Sequence, residues 1–343
     1  MLFSRPTRGR AARLHDIESF PQQAWQRTDP AADGWSMMRL GEAEAHGNAV
    51  GTAAVVVVSG GRMIHAWGPI EHPYMCHSIR KSLLSALYGI YEAEGRIDLY
   101  KTLDELGIDD RLGLNAREKK ATVYDLLLAR SGIYHPTGFE SDGMKLIREE
   151  RGSHGPGTFW VYNNWDFNAL GTIFEQVTGH GIFDAFRERI AIPCGFEDFR
   201  YDETRRDGEY VELTDTVHPA FPFRLSARDL ARFGLLYLRH GRWGGRQIVP
   251  DKWVKLSVLP YSDAGARGAY GYMWWVERHG IHFPGTIMPA GTYSARGVGG
   301  HVLMVVPALD LVIAHRVDTD IKGKEVPAHQ VGRLFELILS ART

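Results

Sequence analysis

The chain is short of cysteine, of net charge and of long apolar runs. Two cysteines, Cys76 and Cys194, in 343 residues exclude a disulfide framework and a cysteine-rich zinc site. Forty basic against 41 acidic residues leave a net charge of −1, so no nucleic acid and no anionic membrane is expected as a partner. The longest apolar stretch, Ala53-Ala54-Val55-Val56-Val57-Val58, is far below the ~20 residues of a membrane-spanning helix. The arginine-rich start, up to Arg13, is not followed by the apolar segment of a secretory signal. The chain as given therefore reads as cytoplasmic, or as periplasmic if a leader has been removed. There are fifteen histidines but no His-Glu-x-x-His, and His72 and His77 lack the i,i+4 spacing of helical ligands. No metal and no other cofactor is expected. Gly-x-Ser-x-Gly is missing too. The nearest stretch, Ala129-Arg130-Ser131-Gly132, lacks the first glycine, which sets aside an α/β-hydrolase elbow.

Hydrophobic residues make up 44% of the chain, enough for a sizeable core in one large domain or two interleaved lobes. Ala53–Ser59 and Arg62–Trp67 flank Gly60-Gly61 and read as a β-hairpin. Helical spacing marks residues 36–45, Ile79–Ala93, Val123–Ala129, Phe167–Thr178 and Ala227–Arg239, the last with Ser226 as its N-cap. Strands return at Tyr272–Arg278, Val302–Val306 and Leu311–Arg316, and a helix from about Glu325 to Ser340 closes the chain. Strands at both ends and helices between them predict an α+β fold. Its antiparallel β-sheet is flanked by helices and built from both chain ends, with a large, mostly helical insertion. The expected division is a sheet lobe of residues 1–99 and 262–343 and a helical lobe of residues 100–261, with the site at the seam.

Three segments carry chemistry. Ser78-Ile79-Arg80-Lys81 is the only Ser-x-x-Lys in the sequence and opens the Ile79–Ala93 helix. Residues i and i+3 share a helix face, so the Lys81 amine can take the Ser78 proton if burial or a second cation lowers its pKa. The bland alternative is a surface lysine one turn into an ordinary helix. Tyr162-Asn163-Asn164 is the only Tyr-x-Asn and sits between a Gly-Pro-Gly turn and a helix. Beside a lysine a phenol can relay protons, and an Asn amide can orient a carbonyl or hold the lysine. Otherwise the tripeptide is a turn in which Asn164 or Asp166 caps the next helix. Ser294-Ala295-Arg296-Gly297-Val298-Gly299-Gly300-His301 precedes the Val302 strand. It is either a Gly-rich hairpin or a strand edge offering an N–H to an oxyanion, with Arg296 near a substrate carboxylate. Trp160, Trp165, Tyr134, Trp274 and Trp275 are either cleft walls or core pieces.

Together these segments resemble the serine β-lactamase and penicillin-binding protein superfamily. The closest likeness is to its class C-like branch of esterases and 6-aminohexanoate-dimer-hydrolase-like amide hydrolases, from about residue 50 to 340. Ser78-x-x-Lys81 matches the first motif and Tyr162-x-Asn164 the second. Gly157-Thr158, Leu170-Gly171, Ser226 to Leu230, Tyr270 to Trp275 and Val305-Val306-Pro307 match flanking stretches. The resemblance implies a serine acyl-hydrolase in which Ser78 forms an acyl-enzyme with a small-molecule ester or amide. Lys81 and Tyr162 share the acid and base work, Asn164 and Trp165 contact the substrate, and the Ser78 and Gly297 N–H groups hold the oxyanion. The third motif departs. Where the family has Lys or His, a small residue and Gly, this chain has Ser294, Ala295 and Arg296. That weakens the alternative of a β-lactamase or D-amino-acid peptidase using the same Ser78. A penicillin-binding module that acylates without turnover is the second alternative. His301 stands where relatives often carry Gln, with a packing or a functional role. The acyl and leaving groups and the oligomeric state are not legible.

Overall fold

The computed structural model describes residues 19–343; the arginine-rich start lies outside the described residues. The Gly60-Gly61 hairpin forms as its sequence requires. Both glycines take left-handed backbone angles, φ +59° and +77°, which a two-residue turn demands and which glycine adopts without penalty. They join β1 (Ala54–Ser59) to β2 (Arg62–Trp67). Six further strands complete the sheet: β3 (Ser262–Asp263), β4 (Ala269–Tyr270), β5 (Trp275–Val276), β6 (Tyr293–Gly297), β7 (His301–Val306) and β8 (Leu311–Arg316). Their spatial order is β2-β1-β8-β7-β6-β5-β4-β3. Every pairing is antiparallel, and β1 meets β8 from Ala54↔Arg316 to Ser59↔Leu311. The two ends of the chain thus share one sheet.

The central strands are apolar at nearly every position because helices cover both faces. Alternate residues face opposite ways. Val56, Val58, Leu303, Val305 and Val312 join one core, and Val55, Val57, Val302, Met304 and Ile313 join the other. The second face is covered by α1 (Met37–Val50) and α5 (Ala328–Ser340), through Leu40, Leu334, Phe335 and Ile338. The first face receives α2 (Ile79–Ala93), which precedes α3 (Asn164–Thr178), and α4 (Ala227–Leu238). Each fully buried Leu or Val here contributes roughly 1.5–3 kcal/mol.

Several elements differ from the sequence reading. α4 falls within residues 100–261 but packs on the sheet. A Cβ at Gly234 would lie 2.5 Å from Val312 Cγ1, so only glycine lets this helix backbone come so near. The strand expected over Tyr272–Arg278 shrinks to Trp275–Val276, because Met273 turns into the left-handed region at φ +61°. The closing helix starts at Ala328, after Pro327 in extended geometry. α1 continues past residue 45 to Val50, where Gly51 ends it at φ +91°. Among the described residues no helix is long and apolar enough to cross a membrane.

Candidate active site

Ser78 stands at the first turn of α2, at the N-cap position but with helical backbone angles and no capping bond from its hydroxyl. The hydroxyl is therefore not spent on the helix end. It accepts a 2.6 Å hydrogen bond from Lys81 Nζ, as the i,i+3 spacing predicts. Lys81 is buried, 2% exposed, and its amine lies 4.9 Å from the ring centres of both Tyr162 and Phe167. No carboxylate pairs with it among the described residues. Burial, and then the neighbouring Arg80 guanidinium, push its pKa well below the usual lysine value. A shift in this direction favours the free amine, which is a base.

Arg80 is the residue that sequence reasoning missed. It is itself buried, 1% exposed, and donates to Asn168 Oδ1 at 2.6 Å. Its guanidinium carbon lies 4.1 Å from the centre of the Phe221 ring. Desolvation lowers its pKa to about 10, so it stays cationic at neutral pH and disfavours a second positive charge on Lys81. Its place inside the Ser-x-x-Lys tetrad was visible; its inward direction was not.

Tyr162 is held between Phe167, Tyr270 and Trp275, with ring centres 5.1, 5.7 and 5.3 Å away. Burial pushes its phenol up to about 12, against the pull of a hydrogen bond with Ser78 and of Arg80 and Arg267. The phenol therefore keeps its proton at neutral pH. Gly297 ends β6. A Cβ there would lie 2.6 Å from the Cys76 carbonyl oxygen and 3.1 Å from His77 Cβ, so the β6 backbone lies directly against the segment leading into Ser78.

His77 lies at the same contact. It takes φ +47°, a costly angle for a residue with a side chain. Its Nε2 is 2.7 Å from Thr319 Oγ1, which is also 3.1 Å from His301 Nε2. His301 pairs with Gly297 across β6 and β7 and is fully buried. It is thus packed and hydrogen-bonded behind the strand. Burial, with Arg316 nearby, lowers the pKa of both imidazoles, His77 to about 4, so both are neutral near pH 7.

A cleft of about 600 Å³ opens onto these groups, lined by Ser78, Tyr162, Trp275, Arg296, Gly297 and Arg267 among others. Arg296 lies on its wall, bonded to Ser294 Oγ and the His282 carbonyl, both at 2.8 Å. Two expected contacts lie elsewhere. Trp165 is fully buried and donates to Asp110 Oδ2 at 2.6 Å, so it is a core piece and does not line the cleft. Asn164 is the first residue of α3, whose cap is Asn163. Its amide donates to the carbonyls of Gly138 and Phe139, which holds the loop at the cleft mouth and turns that amide away from a substrate. Tyr134 and Trp274 are buried, whereas Trp160 and Trp275 face the cavities.

The chain is 24% identical over 348 residues to the 6-aminohexanoate-dimer hydrolase of Paenarthrobacter ureafaciens, covering 88% of this chain and 83% of that protein. An uncharacterized protein of Alkalihalophilus pseudofirmus is 26% identical over 218 residues, 57% of this chain, and the match spans 59% of that relative. The solved structure of a putative 6-aminohexanoate-dimer hydrolase from Bacillus anthracis superposes with a TM-score of 0.65 at 21% identity, covering 94% of this chain and 87% of that one. The model of the Beta-lactamase family matches residues 40–328, from α1 to the start of α5, and the chain belongs to that family.

Proposed function

We propose that this protein is a serine acyl-hydrolase that cleaves small esters or amides through an acyl-enzyme on Ser78. The observation that carries the reading is the 2.6 Å bond between Lys81 Nζ and Ser78 Oγ, made by a buried lysine that has no carboxylate partner among the described residues. Similarity to a 6-aminohexanoate-dimer hydrolase over most of both chains supports an amide or a related acyl substrate.

In this reading the neutral Lys81 amine takes the Ser78 proton as Oγ attacks the carbonyl carbon. The oxyanion is held by the Ser78 and Gly297 N–H groups. Tyr162, protonated because its pKa is raised, gives its proton to the departing oxygen or nitrogen, and the Lys81 ammonium restores it. Water then releases the acyl group by the same steps in reverse order. The lowered Lys81 pKa and the raised Tyr162 pKa support a base role for the amine and an acid role for the phenol. Asn164 serves this scheme indirectly, through the loop it holds.

The test is hydrolysis of p-nitrophenyl butyrate and of a 6-aminohexanoate dimer by wild type and by Ser78→Ala, with mass spectrometry of the trapped acyl-enzyme. Turnover that vanishes with Ser78, and an acyl adduct on the Ser78 peptide, are expected. Equal turnover by Ser78→Ala rejects the mechanism. Nitrocefin turnover, or a stable adduct without turnover, moves the protein to the β-lactam-directed alternatives.

A further inference from the structure

The cleft does not end at Tyr162. A second cavity of about 490 Å³ adjoins it, and the two share Ser141, Met144, Tyr162 and Arg267 as walls. Ser78 and Gly297 line only the first cavity; the second is walled by Ile147, Phe159, Trp160 and Val161, with Gly143 and the Glu149 carboxylate beside them. Each volume alone falls within the ~300–1,000 Å³ of a small-molecule site. A compact ester such as a butyrate needs no second chamber. The dividing wall is the residue that delivers a proton to the leaving atom, so whatever leaves lies on the Tyr162 side of the broken bond.

We infer that the second cavity is a subsite for the leaving half of the substrate, and that this half is a bulky apolar group, aromatic or branched, carried on an alcohol or amine. The inference rests on the serine acyl-hydrolase reading. The carbonyl carbon bonds to Ser78 Oγ, its bond to the leaving oxygen or nitrogen breaks, and the Tyr162 proton completes the alcohol or amine. The Trp160 indole and the Phe159 ring offer flat apolar surface to it. Trp160 also packs 5.7 Å from Tyr270 and 6.3 Å from Trp275, measured between ring centres, which ties this wall to the Tyr162 cage. Ile147 is 55% exposed and Phe159, one face of which stacks on His154, is 41% exposed, so the rim of this cavity is partly apolar.

The assignment separates acylation from deacylation. A group that departs with the leaving half influences only the first step. In Ile147→Ala and Trp160→Ala, kcat/KM for 2-naphthyl butyrate is expected to fall about tenfold more than for methyl butyrate, the size of effect that one or two lost apolar contacts produce. The loss falls on the acylation rate and not on release of butyrate from the butyryl-enzyme. Ile147 is exposed, so its substitution does not endanger folding. A readout free of turnover is the affinity of Ser78→Ala protein for 2-naphthol, followed by tryptophan fluorescence and expected to weaken about tenfold when Ile147→Ala is added. Equal losses for the two esters, a loss that tracks acyl-chain length, or 2-naphthol binding indifferent to Ile147 each overturn the inference. Failure of the Ser78 reading shows separately, as turnover that survives Ser78→Ala.

Discussion

Gly297→Ala tests the proposed oxyanion pocket most sharply. The added Cβ would stand 2.6 Å from the Cys76 carbonyl oxygen, 3.1 Å from His77 Cβ and 3.2 Å from His301 Cβ, where ordinary contact begins at 3.4 Å. None of the three is the free end of a flexible side chain. Cys76 belongs to the backbone entering α2, His77 is tied to Thr319, and His301 is on the neighbouring strand. β6 must withdraw from Ser78 by several tenths of an ångström, to about 0.8 Å if nothing else gives. Overpacking of this kind costs about 1–3 kcal/mol of stability, which leaves a typical domain folded. The loss of one aligned oxyanion donor costs far more in rate, about 10²–10³ in kcat. The assay is kcat on p-nitrophenyl butyrate beside thermal unfolding of the same preparation. A folded Gly297→Ala variant with kcat within about threefold of wild type would show that the Gly297 N–H does not bind the oxyanion.

Further predictions follow from the same geometry. Lys81→Ala should abolish turnover nearly as fully as Ser78→Ala, read by steady-state rates with far-ultraviolet circular dichroism as the folding control. Arg80→Met removes a cation that disfavours the Lys81 ammonium, so the rising limb of the pH profile of kcat/KM should move to higher pH; an unmoved limb rejects the coupling. Tyr162→Phe keeps the ring packing and removes the proton, so kcat should fall more than KM changes. Because the folded-state pKa of Lys81 lies below its unfolded value, the unfolded chain binds more protons between the two. Stability should therefore decline as pH falls from about 10.4 toward the folded pKa, and Lys81→Met should flatten that dependence in urea titrations.

What was readable in the sequence was local or periodic. Ser78 and Lys81 meet because three residues of helix bring them together, and the central strands announce themselves by β-branched runs. The turn at Gly60-Gly61 follows from residue type. What was not readable depends on where a side chain points once the chain is folded. Asn164 and Trp165 sit beside Tyr162 in sequence, but entry into α3 sends one to the Gly138–Phe139 carbonyls and the other to Asp110. The Tyr272–Arg278 segment has strand-like residues, and a single left-handed Met273 breaks it. Arg80 and Thr319 carry no motif; their importance comes from partners 88 and 242 residues away. The spacing of α4 was plain, but Gly234 placed it on the sheet, and glycine at that position has no signature until Val312 is opposite it.

The joining of both chain ends in one sheet has a consequence for how the protein comes to life. Ser78 and Gly297 meet across more than two hundred residues of chain, and the β1–β8 pairing that brings the ends together closes a comparable span. Contacts of such high sequence separation form slowly, since their loop must be closed before they repay its entropy. The α2 helix, with its serine and lysine already adjacent, can assemble early and locally; the oxyanion pocket cannot. During refolding, helical signal should thus return ahead of hydrolysis, and the interval between them measures the closing of the sheet. Recovered turnover, rather than recovered secondary structure, marks the completed fold.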